Sequence, residues 1–296
     1  MKNDSPVNFS DVAENGSRLT PVMRQYREIK EKHPDTILFF RIGDFYETFE
    51  SDAELISREL EIVLTSRSKS GDNRIPLAGV PYHAADGYIA KLVGKGYKVA
   101  VVDQVGDPKK TKGIVKRELV RIITPGTVID SSMLSDSASS CLLALCPDQK
   151  NDLWGIALLD ISTGEFFVAS VNRDPAFENI LSEIARYRPA ECIVSSLVPD
   201  ELKDHVRERG VVVTRYNDEE FSEQRARRTL MEQFGVSSLA GFGCDSLPAS
   251  IGAAGAALAY AKSTQNSPLA HINTLFLRSS AQGMMLDAIT LRNLEV

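Results

Sequence analysis

The chain has 296 residues, of which 43% are hydrophobic and 25% are charged, and its formal net charge is −6. This length fits two or three domains, and the composition excludes a collagen-like or wholly disordered chain. The apolar run at residues 251–261 is too short to span a membrane, and residues 1–17 lack the apolar core of a secretory signal. We expect a cytoplasmic protein with a flexible arm over residues 1–17.

The first region of the chain, residues 18–129, alternates helical and extended patterns. Thr20 followed by proline indicates the start of an amphipathic helix, which Pro34 ends. A short apolar strand at residues 37–40 is broken by Gly43 and Asp44. The remaining predicted elements are helices at 53–61 and 86–95, extended pieces at 62–65 and 75–78, and strands at 97–105 and 118–124. This alternation predicts an α/β domain with a mixed sheet.

A Ser- and Asp-rich stretch, residues 130–140, is predicted to be a linker. After it, three strands (142–145, 154–160 and 165–171) are followed by a helix, strand, helix and strand (175–186, 191–195, 202–208 and 211–214). A meander followed by this alternation is the order of a ribonuclease-H-like fold. The second domain is placed at residues 141–266, with further helices at 222–234 and 250–263. An extended stretch at 272–277 and a helix at 281–295 would begin a third, helical domain over residues 267–296 that the chain does not finish.

The charge is unevenly distributed along the chain. Residues 18–126 contain 19 Lys and Arg against 15 Asp and Glu, whereas the remaining residues contain 15 against 25. This asymmetry fits a front domain that meets phosphates and a rear portion that does not. The four cysteines form no CxxC pair, so we expect no metal site.

Several blocks, taken in order, resemble the MutS family of mismatch-recognition proteins. Residues 38–47, Leu-Phe-Phe-Arg-Ile-Gly-Asp-Phe-Tyr-Glu, are similar to the family's mismatch-reading loop. The other similar blocks lie at residues 76–84, 102–108, 121–127, 159–166, 285–288 and 292–295. The resemblance implies a mismatch-recognition domain, a ribonuclease-H-like connector domain and the beginning of a helical core domain.

The resemblance identifies Phe45 and Glu47 as the residues that probe a mispaired base in double-stranded DNA. An aromatic wedge inserted from the minor groove unstacks bases, and this costs least where a mismatch has already weakened the stack. Glu47 would accept a hydrogen bond from the displaced base while repelling the phosphates of intact duplex. Tyr46, between them in an extended loop, should point inward. The alternative for Phe45 is a core aromatic at the end of a strand.

Other residues near the wedge are candidates for DNA contact. Loops that flank a wedge must hold phosphates to fix its register. We expect Arg41, Arg67, Lys69 and Ser70 to contact the DNA backbone, and Ile42 and Leu77 to line the minor groove. The alternative for the basic residues is simple solvation at the surface.

No G-x-x-x-x-G-K-[ST] motif for nucleotide binding occurs in the sequence. The resemblance implies that the full-length protein carries its ATPase downstream, with ATP and Mg as cofactors, and forms a homodimer around DNA. For the chain itself we expect no enzymatic activity, no cofactor and a monomeric state. The resemblance also implies a downstream, MutL-like repair protein that docks on the connector domain.

Three other functions remain open from the residues. The isolated chain could be a structural module that docks a partner without binding DNA. The second domain could be a nuclease in which Asp160, together with Glu165, Glu183 or Glu191, holds metal ions, although Asp at such a position commonly caps a turn. The third alternative is a family paralogue that binds DNA junctions. The Phe-Tyr-Glu triplet argues against it.

Overall fold

The structure is a computed structural model that describes residues 20–66, 74–105, 115–129, 140–148 and 150–278. The chain folds as two compact units, which divide between Ile123 and Thr124. This division comes a few residues before the predicted end of the first domain. Within the described ranges, no helix is both long and apolar enough to cross a bilayer.

The first unit is built on one mixed sheet. Its helices are α1 (Pro21–Lys32), α2 (Glu50–Leu60) and α3 (Ala85–Gly94), and its strands are β1 (Ile37–Ile42), β2 (Phe45–Phe49), β3 (Thr65–Ser66), β4 (Pro76–Pro81), β5 (Val99–Gln104) and β6 (Arg117–Ile123). The strand order is β3-β4-β2-β1-β5-β6, in which only β1 and β5 pair in parallel. The predicted α/β domain with a mixed sheet is confirmed.

Helix α1 covers one face of this sheet. It begins as predicted, since the Thr20 side chain accepts a hydrogen bond from the Met23 amide at 3.4 Å and proline occupies the first turn. Its buried residues Met23 and Tyr26 pack with Leu38 and Phe40 of β1. Because side chains alternate along a strand, these two β1 residues lie on the α1 face.

A buried carboxylate ties α1, α2 and β1 together. Asp52, in the first turn of α2, accepts hydrogen bonds from the Tyr26 hydroxyl at 2.9 Å and from the Leu38 amide at 3.0 Å. Its other oxygen lies 2.8 Å from the ammonium group of Lys30. Burial, followed by the charge of Asp52, raises the pKa of Tyr26, so this hydroxyl stays a donor.

Two predictions for the first unit need correction. Residues 45–47 were expected to lie in an extended loop, but they belong to β2, which pairs with both β1 and β4. The pairing with β4 was not predicted from the sequence because helix α2 and strand β3 lie between the two strands in the chain. Helix α2 begins at Glu50 rather than at residue 53, and within residues 62–65 only Thr65 belongs to a strand.

The second unit has a sheet between two helical layers. Its helices are α4 (Glu178–Tyr187), α5 (Asp200–Glu208), α6 (Glu223–Phe234) and α7 (Pro248–Gln265), and its strands are β7 (Leu142–Asp148), β8 (Leu153–Leu159), β9 (Phe166–Asn172), β10 (Glu191–Val194), β11 (Val212–Arg215) and β12 (Phe276–Leu277). The order is β11-β10-β7-β8-β9-β12, in which β7, β8 and β9 form an antiparallel meander and β10 and β11 are parallel to β7. The five strands β7 to β11 have the predicted ribonuclease-H-like arrangement.

Alternating residues of the meander pack against the two helical layers on opposite faces of the sheet. One cluster joins Leu143, Leu145 and Trp154 to residues of α4 and α5, and the other joins residues such as Leu142 and Ala157 to α6 and α7. Helix α7 is the apolar, alanine-rich run that the sequence displays, and nearly all of it is buried. Helix α7 approaches β8 closely at Gly155. A Cβ on Gly155 would lie 2.1 Å from the α7 backbone.

Two predicted boundaries in the second unit differ from the structure. The helix expected from residue 175 begins at Glu178, because Phe177 adopts a left-handed conformation and Asp174 accepts hydrogen bonds from the first helical amides. Residues 267–278, assigned above to a third domain, pack in the second unit. Leu269, Ile272 and Leu275 are buried in the α6–α7 cluster, and β12 pairs with β9. The predicted N-terminal arm (residues 1–17), most of the predicted linker (130–139) and the predicted last helix (281–295) lie outside the described residues.

Candidate nucleic-acid interface

The candidate site is the tip of the hairpin formed by β1 and β2. The turn passes through Gly43, whose φ of +60° is a left-handed conformation that glycine adopts without strain. Phe45 is the first residue of β2, and 47% of it is exposed, whereas its neighbour Tyr46 is 8% exposed. The expectation that Tyr46 points inward is confirmed, and Phe45 is not a core aromatic.

Phe45 and Glu47 lie on one face of the sheet. Phe45 is opposite Ile42 of β1 and Pro81 of β4, and Glu47 is two residues farther along β2. Since directly opposed residues of paired strands share a face, this is the face that α1 covers elsewhere. The hairpin tip therefore carries an exposed aromatic ring and a partly exposed carboxylate side by side.

The absence of a side chain on Gly79 leaves room for Glu47. Gly79 is opposite Glu47 in β4, and a Cβ built on it would lie 3.5 Å from Cγ of Glu47. The aliphatic part of Glu47 thus runs across the backbone of β4. The same Cβ would lie 3.1 Å from the Tyr46 carbonyl oxygen, so a side chain at position 79 would crowd the backbone of β2.

Ile42 and Leu77 share this face with Phe45. Leu77 is opposite Phe49 of β2, and both candidate residues are partly buried against the cluster that contains Met23 and Phe40. Each therefore has a packing role inside the first unit as well as some exposed surface. Arg67, Lys69 and Ser70 lie outside the described residues.

Arg41 lies on the opposite face of the hairpin, where it has several partners within the protein. Its Nε donates a hydrogen bond of 2.5 Å to the Gly43 carbonyl, and its guanidinium carbon lies 3.9 Å from the centre of the Tyr82 ring. Its Nη1 is 3.9 Å from a carboxylate oxygen of Asp103. Only 20% of the Arg41 side chain is exposed.

Tyr46 completes this cluster. Its hydroxyl lies 3.0 and 3.1 Å from the two carboxylate oxygens of Asp103, and the Arg41 guanidinium carbon lies 5.5 Å from its ring centre. Burial, and then the charge of Asp103, raises the pKa of Tyr46 to about 12. The phenol is therefore a neutral hydrogen-bond donor throughout the physiological range.

Three residues near the hairpin were not predicted from the sequence: Tyr82, Asp103 and Arg117. Tyr82 and Asp103 belong to two of the blocks quoted above, but nothing local to either block indicates that they meet at one hairpin. Arg117 of β6 donates a hydrogen bond of 2.7 Å to the Arg41 carbonyl, and its guanidinium carbon lies 5.3 Å from the Phe40 ring centre. Only sheet pairing brings these residues together.

Two carboxylates of the possible nuclease site in the second unit, Asp160 and Glu191, accept hydrogen bonds from other residues of that unit. The Asp160 carboxylate accepts from the amides of Ser162 and Thr163 at 2.8 and 3.2 Å, and from the Ser162 hydroxyl at 2.7 Å. Asp160 thus caps a turn, as the alternative prediction held. Glu191 is fully buried and accepts hydrogen bonds from Thr214 and Tyr260. Among the described residues, no three His, Cys, Asp or Glu side chains are grouped to hold a metal ion.

Comparisons with known proteins cover both units. The family described as MutS domain I matches residues 20–132, and the family described as MutS domain II matches residues 140–273. Proteins named DNA mismatch repair protein MutS are similar over most of the chain. The one from Methanosarcina acetivorans is 48% identical over 290 residues, that from Methanococcoides burtonii 46% over 282, and that from Symbiobacterium thermophilum 44% over 283. These matches cover 94–95% of this chain, which spans 32% of the length of each relative.

Proposed function

Because the chain belongs to the MutS family of DNA mismatch-repair proteins, we propose that its first unit recognises mispaired or unpaired bases in double-stranded DNA. The observation that carries this proposal is the exposure of Phe45. It is an aromatic side chain at the tip of a hairpin whose neighbouring residue, Tyr46, is buried. Its ring lies directly opposite Ile42 and Pro81 on the same face of the sheet, which places an apolar surface at the hairpin tip.

In the proposed mechanism, Phe45 enters the minor groove and stacks on a base at a kinked site. A fully paired duplex resists this because its bases must be unstacked, whereas a mismatch has lost part of that stacking already. Stacking of one base on an aromatic side chain contributes about 1–3 kcal/mol. The difference in deformation energy between the two duplexes becomes the preference for the mismatch.

Glu47 contributes to selectivity in a second way. Its carboxylate lies on the same face as Phe45, two residues along β2, so it can reach the edge of a base that Phe45 displaces. The same charge repels the phosphates of a duplex that stays stacked. A group that penalises the wrong partner increases discrimination even when it lowers affinity.

The supporting contacts are proposed for the same face and its flanks. Ile42 and Leu77 lie on the Phe45 face and would line the minor groove, while Arg67, Lys69 and Ser70 would hold phosphates. For the full-length protein we further propose a cytoplasmic ATPase with ATP and Mg as cofactors, a homodimeric state and a MutL-like partner on the connector domain. The second unit would supply that docking surface and no catalysis.

The test compares this chain with two duplexes, one carrying a single mismatch and one fully paired, by fluorescence anisotropy at low salt. We expect tighter binding to the mismatched duplex, and we expect Phe45→Ala to remove about tenfold of that preference. Phe276→Ala is the matched control, because Phe276 is also an exposed phenylalanine, at 51%, but lies in the second unit. This control should leave the preference unchanged.

The opposite result supports the alternative function. Equal affinity for the two duplexes, or no binding to either, would contradict mismatch recognition by this chain and favour a partner-docking module. A preference that survives Phe45→Ala would contradict the role of Phe45 alone and leave mismatch recognition in place.

A further inference from the structure

We propose that Arg41 is a positioning residue that fixes the Phe45 hairpin from its opposite face, and that it does not bind a phosphate. This inference rests on the proposed function of Phe45. It differs from the sequence-based expectation, in which Arg41 was a contact to the DNA backbone. Three sets of contacts around the guanidinium group support it.

The first contact holds the turn itself. Arg41 is the last but one residue of β1, and its Nε donates a 2.5 Å hydrogen bond to the carbonyl of Gly43. Gly43 has a positive φ, and a Cβ built on it would meet no atom within 4 Å, so side-chain packing does not fix this conformation. The conformation of this glycine therefore depends on bonds made to its backbone, and the Arg41 bond is one of them. Phe45 lies two residues after Gly43.

The second contact links the hairpin to Tyr82, the residue that follows β4. The Arg41 guanidinium lies 3.9 Å from the Tyr82 ring centre, within the range of a cation–π interaction. The amide of Tyr82 donates to the carbonyl of Asp44 at 3.0 Å. Arg41 and Tyr82 thus hold both residues that precede Phe45 in the turn, one through each carbonyl.

The third contact concerns charge. The Nη1 of Arg41 is 3.9 Å from Asp103, whose carboxylate also accepts the Tyr46 hydroxyl. The positive charge of Arg41 is therefore already opposed by a carboxylate, and its side chain is mostly buried. A phosphate would have to compete with Asp103 for it. The alternation of side chains also places Arg41 on the face away from Phe45.

Fixing the hairpin serves recognition because an ordered wedge loses less conformational entropy on binding. A side chain that is held in its binding geometry by its neighbours binds more tightly than one that must be ordered first. Lysine cannot replace arginine here. Its ammonium group lacks the planar surface that stacks on Tyr82 while a separate N–H donates to Gly43.

The first arm of the test needs no DNA. Amide hydrogen exchange is measured for Tyr82, whose N–H bonds to Asp44, and for Ile37, whose N–H bonds to Lys98 at 2.8 Å at the other end of β1. In Arg41→Lys we expect the Tyr82 amide to exchange about tenfold faster and the Ile37 amide to be unchanged. Arg121→Lys, an arginine of the same unit that pairs with Asp86, is the matched control and should change neither.

The second arm measures binding to the mismatched and fully paired duplexes across a salt series. We expect Arg41→Lys and Arg41→Gln to lower the preference for the mismatch by about three- to tenfold, without changing the dependence of affinity on salt. Tyr82→Leu leaves the charge of Arg41 in place and removes only its stacking surface. It should reproduce the loss of preference.

Each outcome separates the two proposals. If Arg41→Lys retains the preference, or if Arg41→Gln weakens both duplexes equally and lowers the salt slope by about one, Arg41 is a phosphate contact and the inference is wrong. If Tyr82 exchange is unaffected in Arg41→Lys, the inference is wrong whatever the DNA shows. If the unsubstituted chain shows no preference, the proposed function fails, and the part of the inference that concerns recognition fails with it.

Discussion

Two individual residues of β2, Phe45 and Glu47, have different proposed roles in recognition. In the proposed mechanism, Phe45 would supply stacking, whereas Glu47 would supply a charge whose effect differs between stacked and unstacked duplex. Glu47→Gln keeps the shape of the side chain and removes the charge. We expect affinity for the fully paired duplex to rise about two- to fivefold, the effect of one screened surface charge, so that the preference for the mismatch falls.

Anisotropy with the same two duplexes checks the Glu47 prediction, and Glu54→Gln is its control. Glu54 is an exposed acid of α2, so its replacement removes an equal charge from the same unit. If both substitutions raise affinity equally, the effect is general electrostatics and Glu47 has no special role.

Among the secondary-structure elements, β1 of the Phe45 hairpin is anchored by a hydrogen bond to Asp52 of α2. The Asp52 carboxylate accepts hydrogen bonds from Tyr26 of α1 and from the Leu38 amide of β1. Tyr26→Phe leaves a buried carboxylate oxygen without one of its donors. We expect it to destabilise the first unit by about 1–3 kcal/mol, the usual cost of a lost bond to a buried charged group.

Urea unfolding followed by near-ultraviolet circular dichroism measures the Tyr26 effect. The control is Tyr88→Phe, since Tyr88 is a partly exposed tyrosine of α3 in the same unit. Equal stability losses in the two variants would show that the bond to Asp52 contributes nothing beyond the loss of a tyrosine hydroxyl elsewhere in the unit.

At the scale of the whole molecule, the two units have separate cores, and the chain enters the second unit through a buried network. Glu191 of β10 accepts hydrogen bonds from the Thr124 hydroxyl and the Gly126 amide, as well as from Thr214 and Tyr260. Glu191→Ala would leave several buried donors unpaired. Each such group costs about 1–3 kcal/mol, so we expect a marked loss of stability in the second unit.

Trp154 provides the measurement for the Glu191 prediction. It is the single tryptophan of the chain and is buried in the second unit, so its fluorescence follows the unfolding of that unit. Glu191→Ala should lower the denaturant midpoint of this signal, whereas Tyr26→Phe should leave it unchanged because each unit has its own core. A midpoint that responds equally to both substitutions would show that the units unfold as one.

The local patterns of the sequence were sufficient for most elements and for their order. The Thr-Pro start of α1, the alternating strands of the meander and the amphipathic helices are each set by neighbouring residues, and the structure has them close to the predicted positions. The prominence of Phe45 and Glu47 also came from the sequence, through a resemblance that the family matches bear out. Their role in reading a mismatch stays a prediction.

Contacts between segments far apart in the chain are visible only in the folded structure. The segment expected to be a loop is strand β2, which pairs with β4. Strand β12 pairs with β9, so residues 267–278 belong to the second unit. The same long-range pairing gathered Arg41, Tyr82 and Asp103 around one turn. Hydrophobic periodicity indicates which face of an element is buried, but it does not indicate which distant element covers that face. Local sequence patterns therefore predicted the elements and the candidate residues Phe45 and Glu47, whereas the residues that contact the Phe45 hairpin come together only through the pairing of distant strands.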